Sequence, residues 1–323
     1  MAEYQIKGDT KRSRLEEKIP LQTPFRVMLE VSNVCNFQCF FCVHGQANNN
    51  GGVMSFKLAQ KCINDLLRFS NKIKVLSFFN NGEPLINKKL PEMIQYAKNM
   101  QVANNIDFTT NASLMNHEMA DKLINAGVQR INISIYGLDE EQYFRTTKTR
   151  IYFEKFLENL KYLYEIRGIC RIAIKIIDTA FTDETDKVRF FDIFSNFCDT
   201  ISVEHIVPMY YELNDTTEET LNLYGHKAVV KNLCPVSFYT MSISIDGKVS
   251  PCCIDTQYAL AFGDANEQSL FDIWNGASFR KFQIEQLTNG RHSIMPCGNC
   301  RYPDLVAMDN IDAFRDQILG KLG

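Results

Sequence analysis

Six strand-like apolar runs, with stretches of helical spacing interleaved between them, constrain this chain more than any other feature. The strand candidates are residues 25–34, 74–79, 106–110, 130–136, 171–177 and 200–206. Helical apolar spacing recurs between them over 55–69, 89–100, 117–126, 153–166 and 187–197, the first opening on a serine cap at Ser55. Alternation of this kind predicts an α/β fold with a parallel sheet and crossover helices. Functional groups are then expected on the loops after the C-terminal ends of the strands.

Composition excludes several function classes. The net charge is −3 and the densest basic run is Lys11-Arg12-Ser13-Arg14, so no electrostatic footprint for nucleic acid or an anionic membrane is present. Residues 1–18 are polar and mixed in charge, unlike a signal peptide, and no apolar run approaches the ~18 residues of a membrane span. A cytoplasmic protein with no membrane and no nucleic-acid partner is expected, and its eleven cysteines are read as metal chemistry before disulfides.

Three of those cysteines, Cys35, Cys39 and Cys42, crowd into eight residues directly after the first strand candidate. Three thiolates from one loop suit three irons of a four-iron cluster and leave the fourth iron for an outside chelator. Zinc is the competing reading. It usually takes two separated knuckles, and here His44 is the one nearby candidate for a fourth ligand.

The Cys-x3-Cys-x2-Cys loop with Phe41 before its last cysteine resembles the radical S-adenosylmethionine (SAM) superfamily, in which SAM chelates the open iron. The resemblance implies a partial (β/α)6 TIM-type barrel and continues at the strand ends. Asn80-Asn81-Gly82-Glu83-Pro84 is similar to the family's Gly-Gly-Glu-Pro motif, whose glutamate and main-chain carbonyls hold the SAM ammonium group. Thr110-Asn111-Ala112 resembles its Thr-Asn-Gly, while Ser134 and Arg145 match positions that hold the SAM ribose or carboxylate. Phe41, Asn81, Gly82, Glu83, Asn111, Ser134 and Arg145 are therefore the expected SAM contacts, and Asn81 and Ala112 depart from the family's glycines. An external one-electron reductase of flavodoxin or ferredoxin type is the implied partner.

A second set runs from Cys234 through a hairpin-like Ile245-Asp-Gly-Lys248 to Cys252, then past Gly263-Asp264 and Ile273-Trp-Asn275 to Cys297-Gly-Asn-Cys300. Spacing alone leaves zinc and iron–sulfur open. Together with the first loop, the pattern resembles the twitch domain, a shortened relative of SPASM domains, which implies one auxiliary [4Fe–4S] cluster on Cys234, Cys252, Cys297 and Cys300. Cys253 is expected either to replace Cys252 or to project into the cavity between the domains. Cys62, Cys170 and Cys198 are read as core.

The expected organisation is a polar extension (1–24), a radical SAM barrel (25–212), a linker (213–233), a small α+β twitch domain (234–302) and a C-terminal helix (303–323). One auxiliary cluster resembles the aminocyclitol and sugar dehydrogenases, which implies oxidation of a secondary alcohol on a small polar substrate. His205, Tyr210, Tyr211 and Glu212 are the polar candidates at the barrel end, with no base assigned. Three alternatives stand behind this reading. They are a radical epimerase with Cys253 as hydrogen donor, a ribosomal-peptide maturase, for which a fused leader-binding domain is not expected in the 34 residues before Cys35, and a non-catalytic Fe–S or zinc protein.

Overall fold

The computed structural model describes residues 2–4, 13–43, 51–210 and 220–322. The helices and strands that bear on the site are β1 (Glu3–Tyr4), α1 (Leu15–Lys18), β2 (Arg26–Leu29), α2 (Phe56–Asp65), β3 (Ile73–Ser77), α3 (Leu90–Met100), β4 (Ala103–Thr110), α4 (His117–Asn125), β5 (Arg130–Ile135), α5 (Glu140–Thr147), α6 (Phe153–Ile166), β6 (Arg171–Ile177), α7 (Glu184–Phe194), β7 (Thr200–Glu204), β8 (Thr240–Ile243), β9 (Lys248–Ser250), β10 (Gly263–Asp264), α8 (Leu270–Trp274), α9 (Ala277–Asn289), α10 (Tyr302–Leu305) and α11 (Arg315–Leu322). They build one ten-stranded sheet in the order β1-β7-β6-β5-β4-β3-β2-β8-β9-β10. Strands β2 to β7 pair in parallel, each with its sequence neighbour. This is the (β/α)6 arrangement of a partial barrel, with its helices on the outside.

Local signals explain the helix starts. Ser55, Asn116, Asp139 and Asp183 each accept a backbone N–H of the first turn, at the head of α2, α4, α5 and α7. Helix α5 was not anticipated from the sequence. Its buried residues are Gln142, Tyr143, Thr146 and Thr147, so it lacks the apolar stripe by which its neighbours announce themselves. The first strand is also shorter than the apolar run suggests. Its ladder closes at Leu29, and Glu30 to Val34 turn into the cysteine loop.

Beyond the barrel the chain continues the same sheet. Strand β8 adds in parallel to β2, and β9 returns antiparallel through a turn with Gly247 at φ 102°. Helix α8 docks on α2 and the 3₁₀ turn that follows it, where Asp65 accepts from the Leu270 N–H and Arg68 pairs with Asp272 at 2.7 Å. Part of the polar N-terminal stretch is ordered against the rest. Glu3 and Tyr4 add an edge strand beside β7, and Leu15 and Ile19 join Leu233, Phe238, Leu287 and Ile318 in a second apolar core. The C-terminal stretch is broken into α10, a single 3₁₀ turn and α11, not one helix. No helix among the described residues is long and apolar enough to cross a membrane.

Candidate active site

The cysteine loop leaves β2 and is fastened on both sides. Its Gln38 N–H donates to Thr147 O (2.8 Å) at the end of α5, and Asn36 donates to Ser113 Oγ (2.7 Å) after β4. Inside the loop the Phe37 N–H points at Cys35 Sγ (3.4 Å) and Cys42 N–H closes a turn on Cys39 O. Burial pushes Cys35 up to about 11 and Cys39 further, and each thiol feels the charge of others in the set. A buried thiol of this kind ionises readily only beside a strong positive charge, such as a metal centre supplies.

A cavity of about 250 Å³ opens on this loop, lined by Cys35, Cys39 and Cys42 together with Phe41, Asn81, Gly82, Glu83, Asn111 and Ser134. The sequence therefore located the cavity wall, but several side chains have tasks other than those expected. Gly82 lies at φ 63°, and a Cβ there would stand 2.5 Å from Val34 O and 2.6 Å from Ser32 O, so only glycine fits against the end of β2. Asn81 turns its amide to the Glu30 carboxylate. The Glu83 carboxylate is enclosed by its own fold, accepting from Thr110 Oγ1 (2.5 Å), Asn111 N–H (2.8 Å) and Leu85 N–H (3.0 Å), and burial raises it to about 7. It ties the end of β3 to the end of β4. Asn111 in turn hydrogen-bonds Asn36 in the cysteine loop (3.0 Å) and lies 3.9 Å from Cys35 Sγ. Ala112 takes the left-handed conformation (φ 56°) where the family motif has glycine.

Ser134 hydrogen-bonds Tyr136, which packs on Phe41 at 5.9 Å and completes an aromatic wall. Arg145 does not join this wall. It is exposed on the last turn of α5, and its guanidinium reaches Ala180 O and Thr182 Oγ1 after β6. Its neighbours Gln142 and Thr146 take the inward positions, which leaves Arg145 the solvent side of the helix.

A second cavity, of about 690 Å³, adjoins the first and shares Phe79, Asn80, Thr109, Lys175 and Glu204 with it. It fills the barrel lumen. The inward residues are not the usual branched apolar layers of a closed barrel; they include Arg26, Asn105, Asp107, Arg130 and Asn132. Arg26 pairs with Asp107 (3.4 Å) and Lys175 with Glu204 (2.8 Å). At the rim of the first cavity His205 Nδ1 bonds Asp178 Oδ2 at 2.5 Å, and Tyr210 lines both cavities. Tyr211, Glu212 and His44 lie outside the described residues.

The far wall of the lumen carries Cys253, Ile254 and Tyr302. Behind it the second cysteine set gathers. Cys300 feels Cys234 and Cys297, and Cys252 feels Cys234 and Cys300, while burial lifts Cys297 and Cys300 to about 12. Cys252 and Cys253 hydrogen-bond each other, which pushes Cys252 up and Cys253 down. Arg291, fully buried, organises this corner. It donates to Cys300 O (2.5 Å), Cys297 O (3.1 Å) and Lys231 O (2.8 Å), and pairs with Asp304 at 2.7 Å. Among the described residues no three thiol, imidazole or carboxylate groups close on a single metal ion. A four-iron cluster is larger than one ion and spaces its ligands more widely, so the two thiol sets suit clusters in number and chemistry. Cys62, Cys170 and Cys198 are buried in the main apolar core, as expected.

Comparison with known families decides the class. The model of the radical SAM superfamily matches residues 29–189, which hold the cysteine loop and the four parallel strands β3 to β6, and that of an iron–sulfur cluster-binding (SPASM) domain matches 234–301. The chain belongs to the radical SAM superfamily. Its cofactors are SAM and two [4Fe–4S] clusters. A probable GTP 3′,8-cyclase of Methanococcus maripaludis is 39% identical over 121 residues, or 37% of this chain. The chain spans 39% of that relative's length. Among solved structures, BtrN in complex with AdoMet and 2-DOIA is 18% identical with a TM-score of 0.56 over 85% of this chain and 92% of its own. Streptococcus suis SuiB bound to precursor peptide SuiA is 15% identical with a TM-score of 0.66 over 93% and 74%. At these identities the likeness is one of fold.

Proposed function

We propose that this radical SAM enzyme oxidises a secondary alcohol on a small polar, sugar- or aminocyclitol-like substrate held in the barrel lumen. The reading gives the SAM-binding cluster to Cys35, Cys39 and Cys42 and the auxiliary cluster to Cys234, Cys252, Cys297 and Cys300. One observation carries it. The polar lumen runs from the cavity lined by the first thiol set to a wall holding Cys253, the neighbour of Cys252. Bound SAM and its cluster supply abstraction of hydrogen from an unactivated C–H bond, and the auxiliary cluster supplies an outlet for an electron.

The chain's own residues do the rest. Phe41 and Tyr136 form an apolar wall that shields the first cavity from water, and Gly82 lets the loop after β3 close against β2. Glu83 and Asn111 hold the loops after β3 and β4 against the cysteine loop. Asp178 fixes the His205 ring through Nδ1, so Nε2 is the basic nitrogen for the hydroxyl proton of the substrate. A small substrate also agrees with the likeness to BtrN, whose complex holds 2-DOIA.

Cys253 in the lumen wall favours one second reading, a radical epimerase that returns hydrogen from this thiol. Isotopes separate the two. Oxidation consumes one SAM per ketone and moves carbinol deuterium into 5′-deoxyadenosine. A product of unchanged mass in H2O that gains one mass unit in D2O, and is lost with Cys253→Ala, would replace the oxidation with epimerisation.

A further inference from the structure

Charged residues inside a parallel barrel are costly unless paired, and as stability devices they contribute little compared with an apolar filling. The lumen nevertheless holds three cationic side chains, Arg26, Arg130 and Lys175, against two carboxylates, Asp107 and Glu204. Two of the three cations are matched, Arg26 by Asp107 and Lys175 by Glu204. Among the described residues Arg130 makes no ion pair. Its Nε donates to the neutral amide of Asn132 (2.9 Å), and it feels the charges of Asp107, Arg171, Arg26 and Asp199, none of them in an ion pair with it. Asp107, 3% exposed, is shared between Arg26 and this second guanidinium, and lies 3.4 Å from the first. Among the described residues the lumen wall is thus one anion short of balance, at a guanidinium oriented by Asn132 in a cavity of about 690 Å³. That volume falls in the range of small-molecule sites.

Resting on the reading of the lumen as the substrate site, we propose that Arg130, held by Asn132 and backed by Arg26, binds an oxyanion of the substrate. The substrate class narrows from a neutral polyol to a polyol that carries a phosphate ester or a carboxylate. A planar guanidinium grips either group through two parallel hydrogen bonds, and in a partly dry cavity the anion removes the mutual repulsion of the two arginines. With the anion on Arg130, the rest of the molecule extends past Lys175 and Glu204, which line both cavities, toward the cysteine loop.

The test is equilibrium binding by calorimetry to the reconstituted holoenzyme with SAM, using inorganic phosphate, glucose 6-phosphate, glucuronate and glucose as probes. Because no turnover is read, the result stands whether or not alcohol oxidation does. Saturable binding of phosphate and of at least one anionic sugar is expected, at least 10-fold weaker in Arg130→Gln, as loss of a charge-assisted pair implies. Arg130→Lys, which keeps the charge without the fork, should fall between them. Preference for glucose 6-phosphate assigns the site to a phosphate ester, and preference for glucuronate assigns it to a carboxylate. Cluster absorbance and melting temperature verify that each variant is folded. Equal binding of glucose and the anionic sugars, no saturable anion binding up to about 10 mM, or unchanged anion affinity in folded Arg130→Gln and Arg130→Lys would each overturn the proposal.

Discussion

Glu30 joins three parts of the molecule that must stay in register, and its ionisation should be visible in stability. It is 2% exposed at the end of β2, takes the Asn81 amide from the loop after β3, and accepts the Ile245 N–H from the β8–β9 turn at 3.1 Å. Burial raises its pKa from 4.5 to about 7, against the pull of those two hydrogen bonds. A carboxyl raised on folding binds its proton more tightly in the native state, so its stabilisation is full below about pH 4.5 and is lost as pH rises through 7. At 1.36 kcal/mol per unit the loss between pH 5 and 8 is about 2.5 kcal/mol, or roughly 4 °C in melting temperature for a chain of this size. Glu30→Gln removes the titration. It also sets an amide N–H against a donor, a constant penalty of about 1 to 3 kcal/mol that has no pH dependence. Thermal scans of both reconstituted proteins at matched rates from pH 5 to 8 should show the gap between them move by roughly 4 °C in favour of the variant at high pH. A constant gap would refute the buried, proton-binding carboxyl.

Gly82→Ala forces a left-handed alanine against two backbone oxygens, so a loss of about 3 kcal/mol and at least 10-fold weaker SAM binding are expected from scans and equilibrium dialysis. Arg291→Gln leaves the Asp304 carboxylate and the Cys297 and Cys300 carbonyls short of a buried partner, a loss of about 3 to 5 kcal/mol. Iron analysis should then show the auxiliary cluster depleted and the first retained. Arg145→Ala should leave SAM affinity within about 2-fold, since a surface contact contributes little, whereas Glu83→Ala frees the loops after β3 and β4 and should weaken SAM by at least 10-fold. Equal loss in both variants would return Arg145 to the SAM site.

The barrel was legible because its strands and most of its helices carry the period of their structure, and the cysteine sets because their spacing is rare outside metal chemistry. Helix α5 was hidden by its polar buried face, which reads as loop. Arg145 and Glu83 matched motif positions, but a motif fixes where the backbone goes, not which way a side chain turns; neighbours decided that, Thr110 and Asn111 for Glu83 and Ala180 for Arg145. The polar lumen left a trace that was not used. Arg130-Ile-Asn132-Ile-Ser134 alternates strictly, whereas a parallel strand buried on both faces normally reads as continuously apolar. Arg291 left no comparable trace, since its role depends on chain segments brought together only by folding, at Lys231, Cys297, Cys300 and Asp304.

Iron and acid-labile sulfide counted per chain after anaerobic reconstitution test the central claim most directly, that two separate thiol sets hold two clusters with the lumen between them. The account predicts about eight of each in the wild type and about four when Cys35, Cys39 and Cys42 are all alanine, with SAM cleavage abolished. It predicts about four again, with the first cluster and some SAM cleavage intact, for Cys297→Ala combined with Cys300→Ala. Stoichiometric zinc in place of iron, or a full iron complement in either variant, would contradict it.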